Sequence, residues 1–297
     1  MTAQCPLIIG EVLFDEFPDG QRVLGGAPFN VAWNLQGFGL GPLFVSAVGR
    51  DDEGAQVRAT MDAWEMDTGA LQTAAEWPTG KVHITLENDE PQFSILDQQA
   101  YDEIQPPDLD SCDREFSLLY LGSLAYRSTI SRATTNQIIG ETNLPRFVDI
   151  NIRQPWFDKQ LVVPLLHRAE WVKLNADELS FLTTMECSTA EQIAAATNVL
   201  RDRHGIRYFF VTCGASGAYV IDDSGEILFA DAPTPNPFMD AVGAGDAFAS
   251  AVIAGIARGL PLADILAGSL QFASNACTIR GATTTLRSHY SLPFPTD

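Results

Sequence analysis

What most constrains this chain is an alternation. Short apolar runs, each bounded by turn residues, are separated by stretches with helical periodicity. The apolar runs fall at 6–13, 43–48, 118–121, 147–150, 171–174 and 208–212. Being nearly continuous, they have the character of strands buried on both faces. Helical patterns over 30–37, 54–64, 131–141 and 190–204 lie between them; in the last, Ile193, Val199 and Leu200 share one side and Arg201, Asp202 and Arg203 gather at the end. Strand and helix in repeated succession predict a parallel sheet covered by helices. Such sheets bind ligands at the carboxyl ends of their strands.

Two stretches break the rhythm. Residues 81–87 alternate like a half-exposed strand, Asn88-Asp89-Glu90-Pro91 makes a turn, and 92–97 returns, which is a hairpin by pattern. Residues 12–24 form a second interruption, turning at Pro18-Asp19-Gly20. Both are expected over one edge of the sheet, as a lid. No repeat, coiled coil or low-complexity linker divides the 297 residues. The chain is therefore read as a single α/β domain, 1–297, with a small β lid from about 12–24 and 81–102.

Composition excludes several function classes. Eighteen Lys and Arg against 38 Asp and Glu give a formal charge of −20. Nucleic-acid binding needs a cationic face, and no window gathers four or five basic residues without acids beside them. Any phosphate handled here must be small and held locally. With 46% hydrophobic and 19% charged residues the chain can bury a large core. The first six residues lack a basic region with a long apolar stretch after it, and 247–256 is too short for a span of roughly 20 apolar residues, so no membrane role is expected. Cys5, Cys112, Cys187, Cys213 and Cys277 are odd in number, scattered and never paired as C-x-x-C, which predicts a reducing cytoplasm and no structural zinc. The four histidines match no metal-ligand spacing.

The most informative segment is Asp240-Ala241-Val242-Gly243-Ala244-Gly245-Asp246, followed by a small-residue helix. Glycines at a helix start let backbone approach a ligand, and the free N–H groups and helix dipole there favour negative charge. This predicts an anion hole without cations, formed at Gly243, Ala244 and Gly245. Asp246, in the first turn, is expected to be held as a carboxylate that takes a proton from a hydroxyl. The same seven residues also describe a tight loop whose Asp caps the helix.

Asp240 to Asp246 resembles the D-T-x-G-A-G-D signature of the PfkB, or ribokinase-like, carbohydrate kinases. The N-terminal half carries the companion signature, Gly25-Gly26-Ala27-Pro28-Phe29-Asn30-Val31-Ala32, followed by Gly49-Arg50-Asp51-Asp52-Glu53-Gly54. Within that family, Gly10-Glu11-Val12-Leu13-Phe14-Asp15-Glu16-Phe17-Pro18 and Gly-Gly-Ala-Pro-Phe-Asn are most similar to fructokinases. The resemblance covers about 10–281, with the motifs in family order. It implies a three-layer α/β/α sandwich with a parallel-dominated sheet and a small β lid. The activity it implies is ATP-dependent phosphorylation of a sugar hydroxyl, with fructose first among substrates.

Residue by residue, the resemblance implies Asp15, Gly25, Gly26 and Asn30 as sugar-binding; Asn30 is equally placed to cap the helix after it. Asp149-Ile150-Asn151-Ile152-Arg153 resembles a D-x-N-x-R segment after a strand and adds Asn151 and Arg153, the latter also suited to a surface ion pair. Asn175-Ala176-Asp177-Glu178 matches N-x-x-E, implying an ATP contact from Asn175 and a magnesium contact through water from Glu178. By itself it reads as a helix start with acids in its first turn. Thr212-Cys213-Gly214-Ala215-Ser216-Gly217 resembles the nucleotide loop T-x-G-x-x-G, implying ATP contacts from Thr212, Gly214 and Gly217, and Asn275 is expected near adenine. The implied ligands are a small sugar, ATP, Mg²⁺ and, in some members, K⁺; a homodimer through the lid is the implied assembly. Ala241 stands where the family has Thr, which leaves the potassium dependence open. A related substrate such as 2-keto-3-deoxygluconate or a nucleoside, decided by Arg153 and lid residues such as Tyr101, and a non-catalytic sugar sensor remain the alternatives.

Overall fold

In the computed structural model, which describes residues 4–87, 90–153, 155–157, 159–291 and 294, the apolar runs become one nine-stranded sheet. Its chain-order members are β1 (Cys5–Ile9), β4 (Leu43–Val48), β5 (Leu71–Thr73), β8 (Phe116–Gly122), β9 (Arg146–Asp149), β10 (Trp171–Asn175), β11 (Tyr208–Thr212), β12 (Ala218–Ile221) and β13 (Ile227–Ala230). In space they run β13-β12-β11-β10-β9-β8-β1-β4-β5. Every neighbouring pair from β11 to β5 is parallel, and β12 and β13 close that end antiparallel.

Successive side chains of a strand point to opposite faces, and both faces here are apolar. Leu7, Ile9, Leu119 and Leu121 join one core cluster; Ile8, Leu118 and Tyr120 join the other. Helices α3 (Thr129–Thr142), α4 (Lys159–Leu166), α5 (Ala176–Thr183) and α6 (Ala190–His204) cover the first face. On the second lie α1 (Ala27–Gly37), α2 (Asp52–Ala63), α7 (Ala244–Ala257) and α8 (Leu262–Ala276). The result is the expected three-layer sandwich. From Asp246 to Gly255, α7 is buried without interruption, as a helix apolar on all sides must be. That burial fixes where its first turn lies.

The two interruptions pair with each other. Strands β2 (Leu13–Glu16), β3 (Arg22–Gly25), β6 (Gly80–Glu87) and β7 (Glu90–Ile95) form a second sheet in the order β3-β2-β6-β7. Asn88 and Asp89 of the expected turn lie outside the described residues, but the flanking register holds from Val82↔Ile95 to Glu87↔Glu90. One expectation is corrected. The run 6–13 is not one strand: the chain leaves the main sheet at Gly10, where the Pro28 ring packs so closely that a Cβ would come within 2.3 Å of it. The small sheet is entered twice, from the carboxyl end of the interior strand β1 into β2 and from the edge strand β5 into β6. It is tied to the body through Ile95 and Leu96, whose carbonyls accept from Trp156 Nε1 (2.9 Å) and Arg127 Nη2 (2.7 Å). Arg127 is itself clamped by two bonds to Asp102.

Candidate active site

The first turn of α7 is the centre of the site. Gly243, at φ 77°, precedes the helix with a conformation a side chain would strain, and its Cβ would lie 2.4 Å from Ala282. No side chain caps the helix, so its amides remain available to an anion. Asp240 braces the loop, accepting from Val242 N (3.0 Å) and Gly281 N (3.3 Å). Asp246 does not act as a cap. Its Oδ2 accepts 2.8 Å from Asn30 Nδ2, a partner from α1. The carboxyl is buried, and desolvation pushes its pKa above the ordinary aspartate value, against the hydrogen bond from Asn30 and the charges of Lys173 and Arg153. Burial thus opposes the stabilisation that the helix terminus gives the carboxylate. A carboxyl held above the ordinary aspartate value is a stronger base than a solvated one, which suits proton abstraction.

Asn30 is no N-cap either; that position is Gly26, and Asn30 sits within α1. Its Oδ1 is buried without a protein partner. Asp15 is not at the end of the first strand but within β2, half-buried, its pKa pushed up to about 6 mainly by desolvation. Between the two lies Gly25, whose added Cβ would stand 3.5 Å from Asp15 Oδ2 and 3.9 Å from Asn30 Oδ1. A side chain there would fill the space both groups face. Gly26 serves differently: at φ 109° its Cβ would meet the Glu11 carbonyl at 2.8 Å.

Glu11, to which the sequence reading gave no role, is only 4% exposed. Its Oε2 has no partner, and desolvation pushes its pKa up to about 7. The signal that could have found it is its place just past the end of β1. Asn151, at φ 40°, follows β9 and keeps a buried, unpartnered Nδ2, while Arg153 is exposed and its charge acts on Glu11, Asp15 and Asp246. Buried polar atoms normally find partners. Glu11 Oε2, Asn30 Oδ1 and Asn151 Nδ2, two acceptors and a donor, are what a hydroxyl-rich ligand satisfies. Tyr101, expected to contact substrate from the lid, is instead fully buried beneath Arg127, whose guanidinium carbon lies 5.1 Å from the ring centre.

A second omission is Lys173. It lies in the run 171–174, and a lone cation in a buried strand was the available signal. Its Nζ donates to both Asp149 oxygens, at 2.9 and 3.2 Å, and would lie 3.1 Å from a Cβ on Gly245. The anion hole is thus not free of cations, as the charge count suggested.

Asn175 and Glu178 form a reciprocal capping box on α5, each side chain accepting a backbone N–H of the other at 2.8 Å. Glu178 Oε1 also accepts from Ile152 N at 2.8 Å, pinning the Asn151–Arg153 loop against α5. Among the described residues no group of three or more His, Cys, Asp or Glu could cage a metal. Mg²⁺ does not require one, since it keeps waters and substrate phosphates. With one lone pair still free on each oxygen, Glu178 fits such an ion through water.

Beside this cap opens a cavity of about 640 Å³, lined by Asn175, Asp177, Thr212, Gly214, Ser216 and Phe229 among others. The predicted loop residues Thr212 and Gly214 are in its wall; Gly217 instead closes the loop, its carbonyl accepting from Cys213 N at 2.8 Å. Asn275 is not in the lining. Its Oδ1 accepts from Gln271 Nε2 (2.9 Å), one turn back on α8.

Comparison with known proteins accords with this geometry. The pfkB family carbohydrate kinase profile matches residues 10–288. The fructokinase of Klebsiella pneumoniae is 30% identical over 299 residues, covering 94% of this chain and 95% of that protein. The aminoimidazole riboside kinase of Salmonella typhimurium strain LT2 is 27% identical, covering 97% and 92%. Among solved structures, the Vibrio cholerae O395 fructokinase bound to fructose, ADP and calcium superposes with a TM-score of 0.80 at 23% identity, over 98% of this chain and 99% of that one.

Proposed function

Because the chain belongs to the pfkB family of carbohydrate kinases and is an ATP-dependent sugar kinase, we propose that it is a fructokinase, moving the γ-phosphoryl group of ATP to a hydroxyl of D-fructose. The observation that carries this reading is the Asn30–Asp246 hydrogen bond, which joins the two signature motifs at the uncapped start of α7. The fructokinase relative supports the sugar, as do the unpartnered buried atoms of Glu11, Asn30 and Asn151.

Asp15, Asn30, Asn151 and Arg153 hold the sugar, and Gly25 leaves it room. Asp246 then accepts the hydroxyl proton as the oxygen attacks the γ-phosphorus, the phosphorus–oxygen bond to ADP breaks, and the amides of Gly243, Ala244 and Gly245 stabilise the transferring oxygens. Little beyond positioning and charge stabilisation is required. ATP lies in the cavity beside Asn175, Thr212 and Gly214. Glu178 would hold Mg²⁺ through water, and the ion would supply charge neutralisation on the phosphates. The small sheet closes as a lid, because an open phosphoryl site would lose ATP to water, and it offers the face for a homodimer. Among the described residues no helix is long and apolar enough to cross a membrane, and the five cysteines are free, which supports a cytoplasmic enzyme.

The test is ADP release, with and without potassium, against fructose, other sugars, sugar acids and ribosides. Turnover of fructose above the rest is expected. Turnover of an aminoimidazole riboside with none of fructose would replace the substrate and keep the kinase.

A further inference from the structure

We propose that the buried Lys173–Asp149 pair is a positioning device for the base: set beneath the first turn of α7, it keeps Asp246 ionised until a sugar hydroxyl arrives. The inference rests on Asp246 being the general base.

Lys173 is the middle residue of β10, between Val172 and Leu174, which are both wholly buried. An ammonium at such a position is costly, and an apolar side chain packs there as well or better. Stability therefore does not account for it. Its placement suggests what does. Nζ bonds both oxygens of Asp149, which also accepts from Tyr120 Oη at 3.2 Å. The same Nζ lies so close under Gly245 that a Cβ there would be 3.1 Å away. The ammonium is thus wedged between Asp149 and the peptide that leads into Asp246.

Charged and titratable groups reach Asp246 from every side. Glu11 acts from the chain after β1, Asp15 from β2, Tyr120 from β8, Asp149 from β9, Arg153 from the loop after β9 and Lys173 from β10, while the neutral amide of Asn30 donates from α1. Only two of these are cations. Arg153 is exposed and its field is screened by water, whereas Lys173, 4% exposed, acts through a medium of low dielectric. Burial works against the Lys173 ammonium, but Asp149, Glu178 and Asp246 outweigh it and hold it charged. Asp149 in turn tempers that charge. Without Lys173 desolvation would leave Asp246 protonated at higher pH; without Asp149 the full ammonium charge would make it too weak a base.

The two halves of the pair therefore push in opposite directions, which a structural role would not do. Two readouts apply: the acid limb of kcat/KM against pH, and a carbon-13 carboxyl titration of Asp246 in the free protein, its resonance identified by loss in Asp246→Asn. Lys173→Met should move both upward by about one pH unit, and Asp149→Asn should move both downward by about as much. Lys173→Arg, which keeps the charge, should leave them where the wild type has them. If Asp149→Asn does not fold, the Met and Arg variants still decide, because equal limbs for those two overturn the proposal. So do shifts of the same sign for Lys173→Met and Asp149→Asn. If no sugar is phosphorylated by the wild type, the kinase reading fails, and the carboxyl titration still reads the pair.

Discussion

On the side of Asp15, Asn30 and Asp246 the crevice is lined by side chains withdrawn from water, several with polar atoms left unpartnered. The cavity beside Thr212 and Gly214 is walled by a backbone loop and by exposed or half-exposed residues such as Asp177, Ser216 and Phe229. One side holds charge and hydrogen-bonding capacity in reserve, at a cost in desolvation; the other has little to reserve. This difference suits the two ligands as the proposed function places them. A small neutral polyol is distinguished only by where its hydroxyls lie, so the protein must meet it with fixed, buried partners. A polyphosphate carries its own charge, which backbone amides at a loop or helix start can meet without a matched set of side chains. On the proposed function, selectivity is therefore expected on the desolvated side.

The largest effect expected from that contrast is on catalysis. Asp246→Asn keeps shape but cannot take a proton, and should lower kcat by about 10² to 10⁴ while ATP affinity stays close to wild type. Single-turnover rates and nucleotide titration check both halves, and a wild-type-like kcat would remove Asp246 from the role of base.

Next in size is a dependence of stability on pH. Desolvation pushes Glu11 up to about 7 from 4.5, and Asp15 and Asp149 up to about 6 from 3.8. Between the lower and upper values the folded protein binds more protons than the unfolded chain, so stability falls as pH rises through that window and grows as pH is lowered. For Glu11 alone the change amounts to about 3 kcal/mol. Denaturant midpoints should therefore rise from pH 8 to pH 5.5. Glu11→Gln should flatten the stability curve; an unchanged slope would show that Glu11 is solvated after all.

Asp15→Ala should weaken sugar binding by roughly 1.5 to 3 kcal/mol, the range for hydrogen bonds to a charged group, and leave ATP binding alone. Calorimetry with fructose would show it, and equal sugar affinities would reduce Asp15 to scaffolding. The smallest effect belongs to the other side. Cys213 lies in the cavity wall but its side chain makes no hydrogen bond among the described residues. Cys213→Ala should change the ATP KM less than about threefold, within the roughly 0.5 kcal/mol usual for substitutions away from special features. A tenfold loss would mean that side chains shape that wall too, and the contrast would collapse.

Much of this architecture is legible without coordinates. Strands at 43–48 and 208–212 and the helix at 190–204 have the bounds read from periodicity, because side-chain alternation and capping residues such as Thr189 and Gly205 are local properties. The uncapped glycine turn before Asp246 is local in the same sense. Tertiary structure decided the rest. That Asn30 spends its amide on Asp246, 216 residues away, and not on its own helix start is a consequence of how α1 and α7 pack. That Lys173 lies under Gly245, and that Glu11 is sealed from water, depend on which strand ends are brought side by side. Local pattern tells a residue which face to occupy. Only the packed fold removes water around it, and the loss of water is what sets the charge state, the free hydrogen-bonding capacity and hence the chemistry of the site.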